Sequence, residues 1–198
     1  MLSPSVIKLF VDTKLSNVDE YEIEFRVGKY FQYYKNGIDV SLFNFINTEL
    51  SKKYPNEVYN SIDYILYNND KVTFTDQNVV VLNKKCIQNK DIKLHNNLGI
   101  RLSISKETIK NNINDINIIQ KLKCYYENSS ETKVIRKKSR IKYIDRQNSL
   151  YYDLTIVNNS IYEIEIEYYS TKLDSQIITE SLNIGYNQII NFVNTFKR

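Results

Sequence analysis

Histidine is almost missing from this sequence: His95 stands alone among 198 residues. A single imidazole cannot build a multi-histidine metal site, and it argues against a histidine general base. Cys86 and Cys124, the only two cysteines, show no metal-type pairing. Such sparse use fits a reducing, intracellular compartment. No apolar run is long enough to cross a bilayer, and MLSPSVIKLFV at the N-terminus is too short and too polar for a signal peptide. Asn128-Ser-Ser matches the glycosylation pattern, but without a secretory signal it carries nothing. Tryptophan is absent and there are 2 prolines and 4 glycines, beside 17 tyrosines and many Asn, Ile and Lys. That texture reads as AT-rich coding rather than a physical requirement.

What is present is ordinary in amount. Hydrophobic residues make up 42% and charged residues 25%, as in a soluble protein with a real core. The net charge of +4 fits an anionic partner such as RNA without requiring one. No repeat or linker divides the chain, so residues 1–198 read as a single domain.

Patterning points to a β-rich domain. Residues 4–14 suggest a short helix. EYEIEFRVGKY (20–30) alternates polar and apolar residues as a strand does. Ser41 is placed to cap a helix over 42–53, with Leu42, Phe45, Ile46 and Leu50 on one face and Pro55 beyond its end. Strand-like runs follow at 58–67, 71–75, 79–87 and 99–107, with turn residues such as Asn68-Asn69-Asp70 between them. Residues 108–132 are Asn-rich and read as a helix-plus-loop insertion or a mobile segment. Alternation returns at 133–143, 149–157 and 160–169, with Asn158-Asn159 as a tight turn. Over 173–196, Leu173, Ile177, Ile178, Leu182, Tyr186, Ile189 and Ile190 recur at helical spacing. Many antiparallel strands at this spacing make a sandwich or a barrel.

The charges sort by face. Side chains at i and i+2 of a strand lie on one side, about 6.6 Å apart. Glu22 and Glu24 share a face, and so do Glu163, Glu165 and Glu167 in IYEIEIEYY (161–169). Arg136, Lys138 and Arg140 share another, as do Arg101, Ser103, Ser105 and Glu107. A single such strand is most simply a wet edge. Rows of one sign on several strands suggest instead that the rows meet across a lumen. There, carboxylates need a cation, for which hard metals suit, and cations need an anion, for which a chain of phosphates suits.

These motifs also resemble a known family. YEIEF (21–25) and YEIEIEY (162–168) are similar to the two glutamate motifs of the triphosphate tunnel metalloenzymes. More narrowly, the chain resembles the metal-dependent RNA 5′-triphosphatases of fungal and large-DNA-virus mRNA capping. IRKKSRIKY (135–143) resembles that family's R-x-K-x-R strand, and YYDLTIV (151–157) its Asp-x-Thr strand, in the family's order. VVVLNKKCI (79–87) resembles a strand bearing a phosphate-binding lysine, Lys84, with Lys85 the one-residue slip. GIRLSISKE (99–107) resembles a strand ending in a water-positioning glutamate, Glu107. Two departures stand out: Lys71 where the family has an arginine, and Ile156 where the fungal enzymes often have a lysine.

The resemblance implies a mainly β (α+β) fold: a closed, antiparallel eight-stranded barrel with flanking helices, including a C-terminal amphipathic one. It implies release of the γ-phosphate from 5′-triphosphate RNA and nucleoside triphosphates, with Mg²⁺ or Mn²⁺. Glu22, Glu24 and Glu167 would hold the metal, and Glu163 and Glu165 would complete the acidic face. Lys84, Arg101, Arg136, Lys138 and Arg140 would bind phosphate, with Asp153 orienting a basic neighbour and Glu107 the water. A guanylyltransferase subunit or domain would be the partner, with no membrane. Alternatives remain open. The substrate could be inorganic triphosphate, thiamine triphosphate or a nucleotide, or the barrel could bind without turnover, or the chain could be an unrelated sandwich. Arg101 could be a structural ion-pair partner, and Glu107 could sit at the start of a helix. Tyr151, Tyr152, Tyr168 and Tyr169 read as barrel packing rather than RNA stacking, and His95 as a loop residue.

Overall fold

The computed structural model describes residues 21–94, 97–169 and 174–196. The helix expected over 4–14 and the loop residue His95 lie outside them. Nine strands and three helices follow in chain order: β1 (Tyr21–Tyr30), β2 (Tyr34–Asn36), α1 (Val40–Ser51), β3 (Asn56–Leu66), β4 (Asp70–Phe74), β5 (Val79–Lys93), β6 (Leu98–Ile113), α2 (Ile116–Asn128), β7 (Thr132–Asp145), β8 (Leu150–Val157), β9 (Ile161–Tyr168) and α3 (Ser175–Phe196).

Alternating sequences close into a barrel because both faces find a use. Neighbours run β1-β6-β5-β4-β3-β7-β8-β9, all antiparallel, and β9 pairs back onto β1 through Ile23–Tyr168 to Val27–Ile164. Eight strands therefore close, which removes exposed edges. The short β2 adds to the far end of β1. Gly28 permits that approach, because a Cβ there would meet the Lys35 carbonyl at 2.3 Å. Asn158 and Asn159 take φ of 49° and 57°, the left-handed pair whose twist suits a two-residue hairpin. Asn69, at φ 66°, turns β3 into β4, and Asn68 Oδ1 accepts the Asp70 N–H at 2.9 Å.

The apolar core lies outside the barrel wall. Ile23, Phe25 and Val27 of β1, Ile164 and Ile166 of β9, and Ile100, Leu102 and Ile104 of β6 pack beneath Leu42, Ile46 and Leu50 of α1 and Ile178, Leu182, Tyr186 and Ile189 of α3. Burying each such side chain contributes about 1.5–3 kcal/mol, so Ile166→Asp would unseat α3. Gly185 lets α3 lie close, since a Cβ there would meet Ile166 Cγ2 at 2.9 Å. A smaller cluster of Tyr64, Leu66, Val72, Phe74 and Val79 packs Ile119 of α2. With apolar residues outward, every alternate polar residue is turned into the lumen.

Four details differ from the sequence reading. Asp39, not Ser41, is the N-cap of α1; its carboxylate takes Lys29 at 2.5 Å rather than a backbone N–H. Helix α1 also buries Phe43 rather than Phe45 in its fullest contacts. The Asn-rich stretch is ordered: β6 runs on to Ile113, and Asp115 caps α2 by accepting from the Asn117 and Ile118 N–H groups at 2.8 and 3.3 Å. Long pairing with β5 carries Thr108 to Ile113 as strand despite their weak pattern. In α3, Ile177 faces solvent while Phe192 and Val193 join the core; Leu173 lies outside the described residues. Among the described residues, no helix is long and apolar enough to cross a membrane.

Candidate functional site

Register brings the charged rows together. Glu24 stands opposite Glu167 and Arg26 opposite Glu165 across β1 and β9. Asp153 and Thr155 of β8 lie between Glu165 and Glu163 on one side and Lys142 and Arg140 on the other. Farther round, Asp63 of β3 neighbours Arg136, and Lys84 of β5 pairs in register with Glu107 of β6. Part of this set lines a cavity of about 810 Å³: Glu22, Arg26, Glu165, Lys84, Lys85, Glu107, Asp63, Lys71, Arg136, Lys138 and Arg140, with the Asn68–Asn69 turn and Cys86 at its wall; Glu24, Glu163, Glu167 and Asp153 are not among the lining side chains.

Inside, each charge is answered by another. Arg26 places Nη2 2.7 Å from Glu24 Oε1 and Nε 3.0 Å from Glu165 Oε1. Arg136 Nη2 lies 2.6 Å from Glu163 Oε2, and Lys138 Nζ lies 2.5 Å from Asp63 Oδ2. Arg140 donates to Asp153 Oδ2 at 2.8 Å and Thr155 Oγ1 at 3.0 Å, with Glu165 at 3.9 Å. Lys84 bonds Glu22 and lies 3.2 Å from Glu107 Oε1. Thr73 Oγ1 donates to the second oxygen of Asp63 at 2.9 Å.

The field in this enclosure separates the carboxyls. Burial pushes Glu24 up to about 8, helped by the neighbouring charges of Glu165 and Glu167 and only partly opposed by Arg26. Burial likewise raises Glu167 to about 7, with Asp153 adding to it. Glu165 goes the other way, to about 2, because Arg26 and Arg140 together outweigh its desolvation. Burial raises Asp153 despite Arg140, whereas Asp63 is lowered because Lys138 and Lys71 overcome its burial. Lys138 is lowered by desolvation, with Asp63 opposing the shift. Arg26 and Arg140 stay charged: their carboxylate neighbours raise both above the ordinary value.

Among the described residues, no three acidic side chains converge as a metal cage. The ion pairs explain this, since Lys84 draws off Glu22, Arg26 draws off Glu24 and Glu165, and Arg136 draws off Glu163. The donor chemistry nonetheless suits a hard divalent cation: the groups are all carboxylate oxygens, Glu24 and Glu167 face each other in register, and burial raises both. Asp153 Oδ1, buried beside them, accepts no hydrogen bond.

The remaining sequence candidates fall as follows. Lys84 bonds Glu22, while Lys85, the more exposed of the two, also lines the cavity. Glu107 lies within β6, not at a helix start. Arg101 makes a two-pronged pair with Asp91 at 2.7 and 2.9 Å and stacks on Tyr34 at 4.5 Å, away from the cavity lining. Tyr152 and Tyr168 are core residues, but Tyr151 and Tyr169 are only half-buried. Lys71, which stands where the family has an arginine, lines the cavity, and so do Arg26 and Asp63, which were not singled out from the sequence. Continuing the Glu22–Glu24 alternation by two residues reaches Arg26, which was the available signal.

A closed eight-stranded antiparallel barrel with charged side chains inside has counterparts among solved structures. The fold matches the fission yeast (S. pombe) Pct1 RNA triphosphatase bound to the Spt5 CTD, with TM-score 0.67 and 16% identity over 98% of this chain and 90% of that one. It also matches the mimivirus capping enzyme triphosphatase, with TM-score 0.59 and 16% identity over 98% and 97% of the two chains. At such identities the likeness is one of fold. No protein-family model matches the sequence, and no curated protein matches it either.

Proposed function

We propose that this chain is a divalent-metal-dependent phosphohydrolase that removes the γ-phosphate from 5′-triphosphate RNA, the first step of mRNA capping, and acts on nucleoside triphosphates as well. One observation carries the reading: Glu22, Glu107 and Glu165 line one barrel cavity of about 810 Å³ together with Lys84, Arg136, Lys138 and Arg140. Rows that now neutralise each other can accept a metal–polyphosphate pair between them, leaving each row with a partner. Fold likeness to two RNA triphosphatases supports the same reading.

Glu22, Glu24 and Glu167 would hold Mg²⁺ or Mn²⁺, with Glu163 and Glu165 completing the acidic wall. The bound ion supplies Lewis acidity and a template for a γ-phosphate oxygen. Arg136, Lys138, Arg140 and Lys84 bind phosphate oxygens and neutralise the charge that develops, with Arg26 and Lys71 beside them. Asp153 and Thr155 position the Arg140 guanidinium. Glu107 orients the attacking water. Its oxygen bonds to the γ-phosphorus while the bond to the β–γ bridging oxygen breaks. The electron pair leaves with the 5′-diphosphate end, which a guanylyltransferase subunit or domain would use. Phosphate release from triphosphate-ended RNA, ATP and tripolyphosphate, with Mg²⁺ or Mn²⁺ and with chelator, tests this. Release should require the metal and favour RNA. Release unchanged under chelation contradicts the metal role, and no release from any substrate contradicts the enzyme.

A further inference from the structure

The four tyrosines of YYDLTIV and YEIEIEYY divide sharply. Tyr152 and Tyr168 are packed in the core, whereas Tyr151 and Tyr169 stack on each other, rings 4.0 Å apart and 13° from parallel. Both extend lumen-facing rows by one step: Tyr151 precedes Asp153 on β8, and Tyr169 follows Glu167 off β9. Tyr151 stands directly opposite Glu167. The Tyr169 N–H donates to the Ser149 carbonyl at 3.1 Å, which fixes the chain where its ring leaves the strand. Across β7, the Lys142 ammonium sits 4.1 Å from the Tyr151 ring centroid. Lys142 belongs to the basic row, two residues beyond Arg140. Together these form a flat ladder of cation, ring and ring at the rim nearest Glu167 and Glu22.

Packing did not require this arrangement. Apolar residues serve the core face of these strands, while these two rings occupy positions on the lumen face where the neighbouring residues are charged. Lys142 reaches Tyr151 from β7, and Tyr169 reaches it from the end of β9, the two strands that flank β8. A third planar group would extend the ladder on the face of Tyr169 turned from Tyr151.

We propose that this ladder receives the first nucleobase of the triphosphate-bearing substrate, stacked on Tyr169, with the Lys142 ammonium placed for the phosphates nearest the ribose. This rests on the proposed triphosphate reading of the tunnel and makes its substrate nucleosidic rather than purely inorganic. Stacking is tolerant of sequence, since every base has a π-face, so any 5′ nucleotide would serve. The acidic and basic rows hold the polyphosphate, while the ladder distinguishes RNA from tripolyphosphate.

Equilibrium binding of ATP, a triphosphate-ended oligoribonucleotide and tripolyphosphate to wild type, Tyr169→Ala and Tyr169→Phe tests this without requiring turnover. Tyr169→Ala should weaken ATP and RNA about tenfold and leave tripolyphosphate unchanged, while Tyr169→Phe binds all three as wild type does. Equal weakening of all three ligands, or no weakening of any, overturns the proposal. Wild type that binds ATP through Tyr169 but hydrolyses nothing would sink the enzymatic reading and leave this one standing. Failure of wild type to bind any triphosphate sinks both.

Discussion

Replacing Arg26 by methionine removes the cation between two carboxylates of the acidic wall. Its guanidinium lies 2.7 Å from Glu24 and 3.0 Å from Glu165, whose side chains are 2% and 14% exposed. Deleting one partner of a buried ion pair costs about 3–5 kcal/mol, because the charge left behind has neither water nor counter-ion. Two features hold the cost to the low end. Glu165 keeps Arg140 at 3.9 Å, and Glu24 can escape by taking up a proton, as its pKa of about 8 already indicates. A loss of about 3 kcal/mol follows, and at about 2–4 °C per kcal/mol for a chain of this size the melting temperature drops by about 6–12 °C. Urea unfolding followed by far-ultraviolet circular dichroism at pH 7, in chelator, measures it. Adding Glu165→Gln to Arg26→Met should restore most of the loss, since Glu165 is the carboxylate left charged. A variant within about 0.5 kcal/mol of wild type would mean that these carboxylates are hydrated, and the enclosed wall would be wrong.

Metal-free protein should lose stability as pH rises from about 4.5 to 8. Glu24 and Glu167, raised to about 8 and about 7, keep protons in the folded state that the unfolded chain has released, so their contribution is full below about 4.5 and is lost through their folded values. Glu165, lowered to about 2, contributes above about 4.5 and loses that contribution as pH falls. Thermal scans in chelator should therefore peak near pH 4.5–5, and a steady rise from pH 5 to 8 contradicts the assignment. Lys84→Ala should reduce phosphate release at least tenfold and Lys85→Ala, at the more exposed part of the lining, should cost less; an equal or larger loss in Lys85→Ala contradicts the choice of Lys84. Asp115→Ala removes the cap of α2 and should cost about 1 kcal/mol in urea unfolding with phosphate release unchanged. Loss of turnover in that variant would tie α2 to the site.

Legibility in the sequence followed the strength of the alternation. Over 161–168 the period-2 pattern is unbroken, and the strand, its faces and the Asn158–Asn159 turn were all readable. Arg26 was equally readable by parity but falls past the point where the ExE pattern ends. Asp63 sits on a strand whose polar residues are mixed, so it does not stand out as part of a row, and Lys71 was noticed only against the resemblance. The β5–β6 pair was harder still. Register shifts at Val81–Leu82 and Cys86–Gln88 break the parity on which face assignment depends. Asn-rich 108–132 hid both the end of β6 and the start of α2, because long-range pairing and a single capping carboxylate, rather than local propensity, decide them. Closure itself was not visible in spacing, since a sandwich and a barrel place strands at similar intervals; the β1–β9 pairing decides it.

Crystals grown with Mn²⁺ and tripolyphosphate give the most direct test, through an anomalous difference map. An anomalous peak should lie between the Glu24 and Glu167 carboxylates, with phosphate density reaching Arg136, Lys138 and Arg140 inside the barrel. Manganese or phosphate found only on the outer surface, with the internal ion pairs undisturbed, would contradict the account.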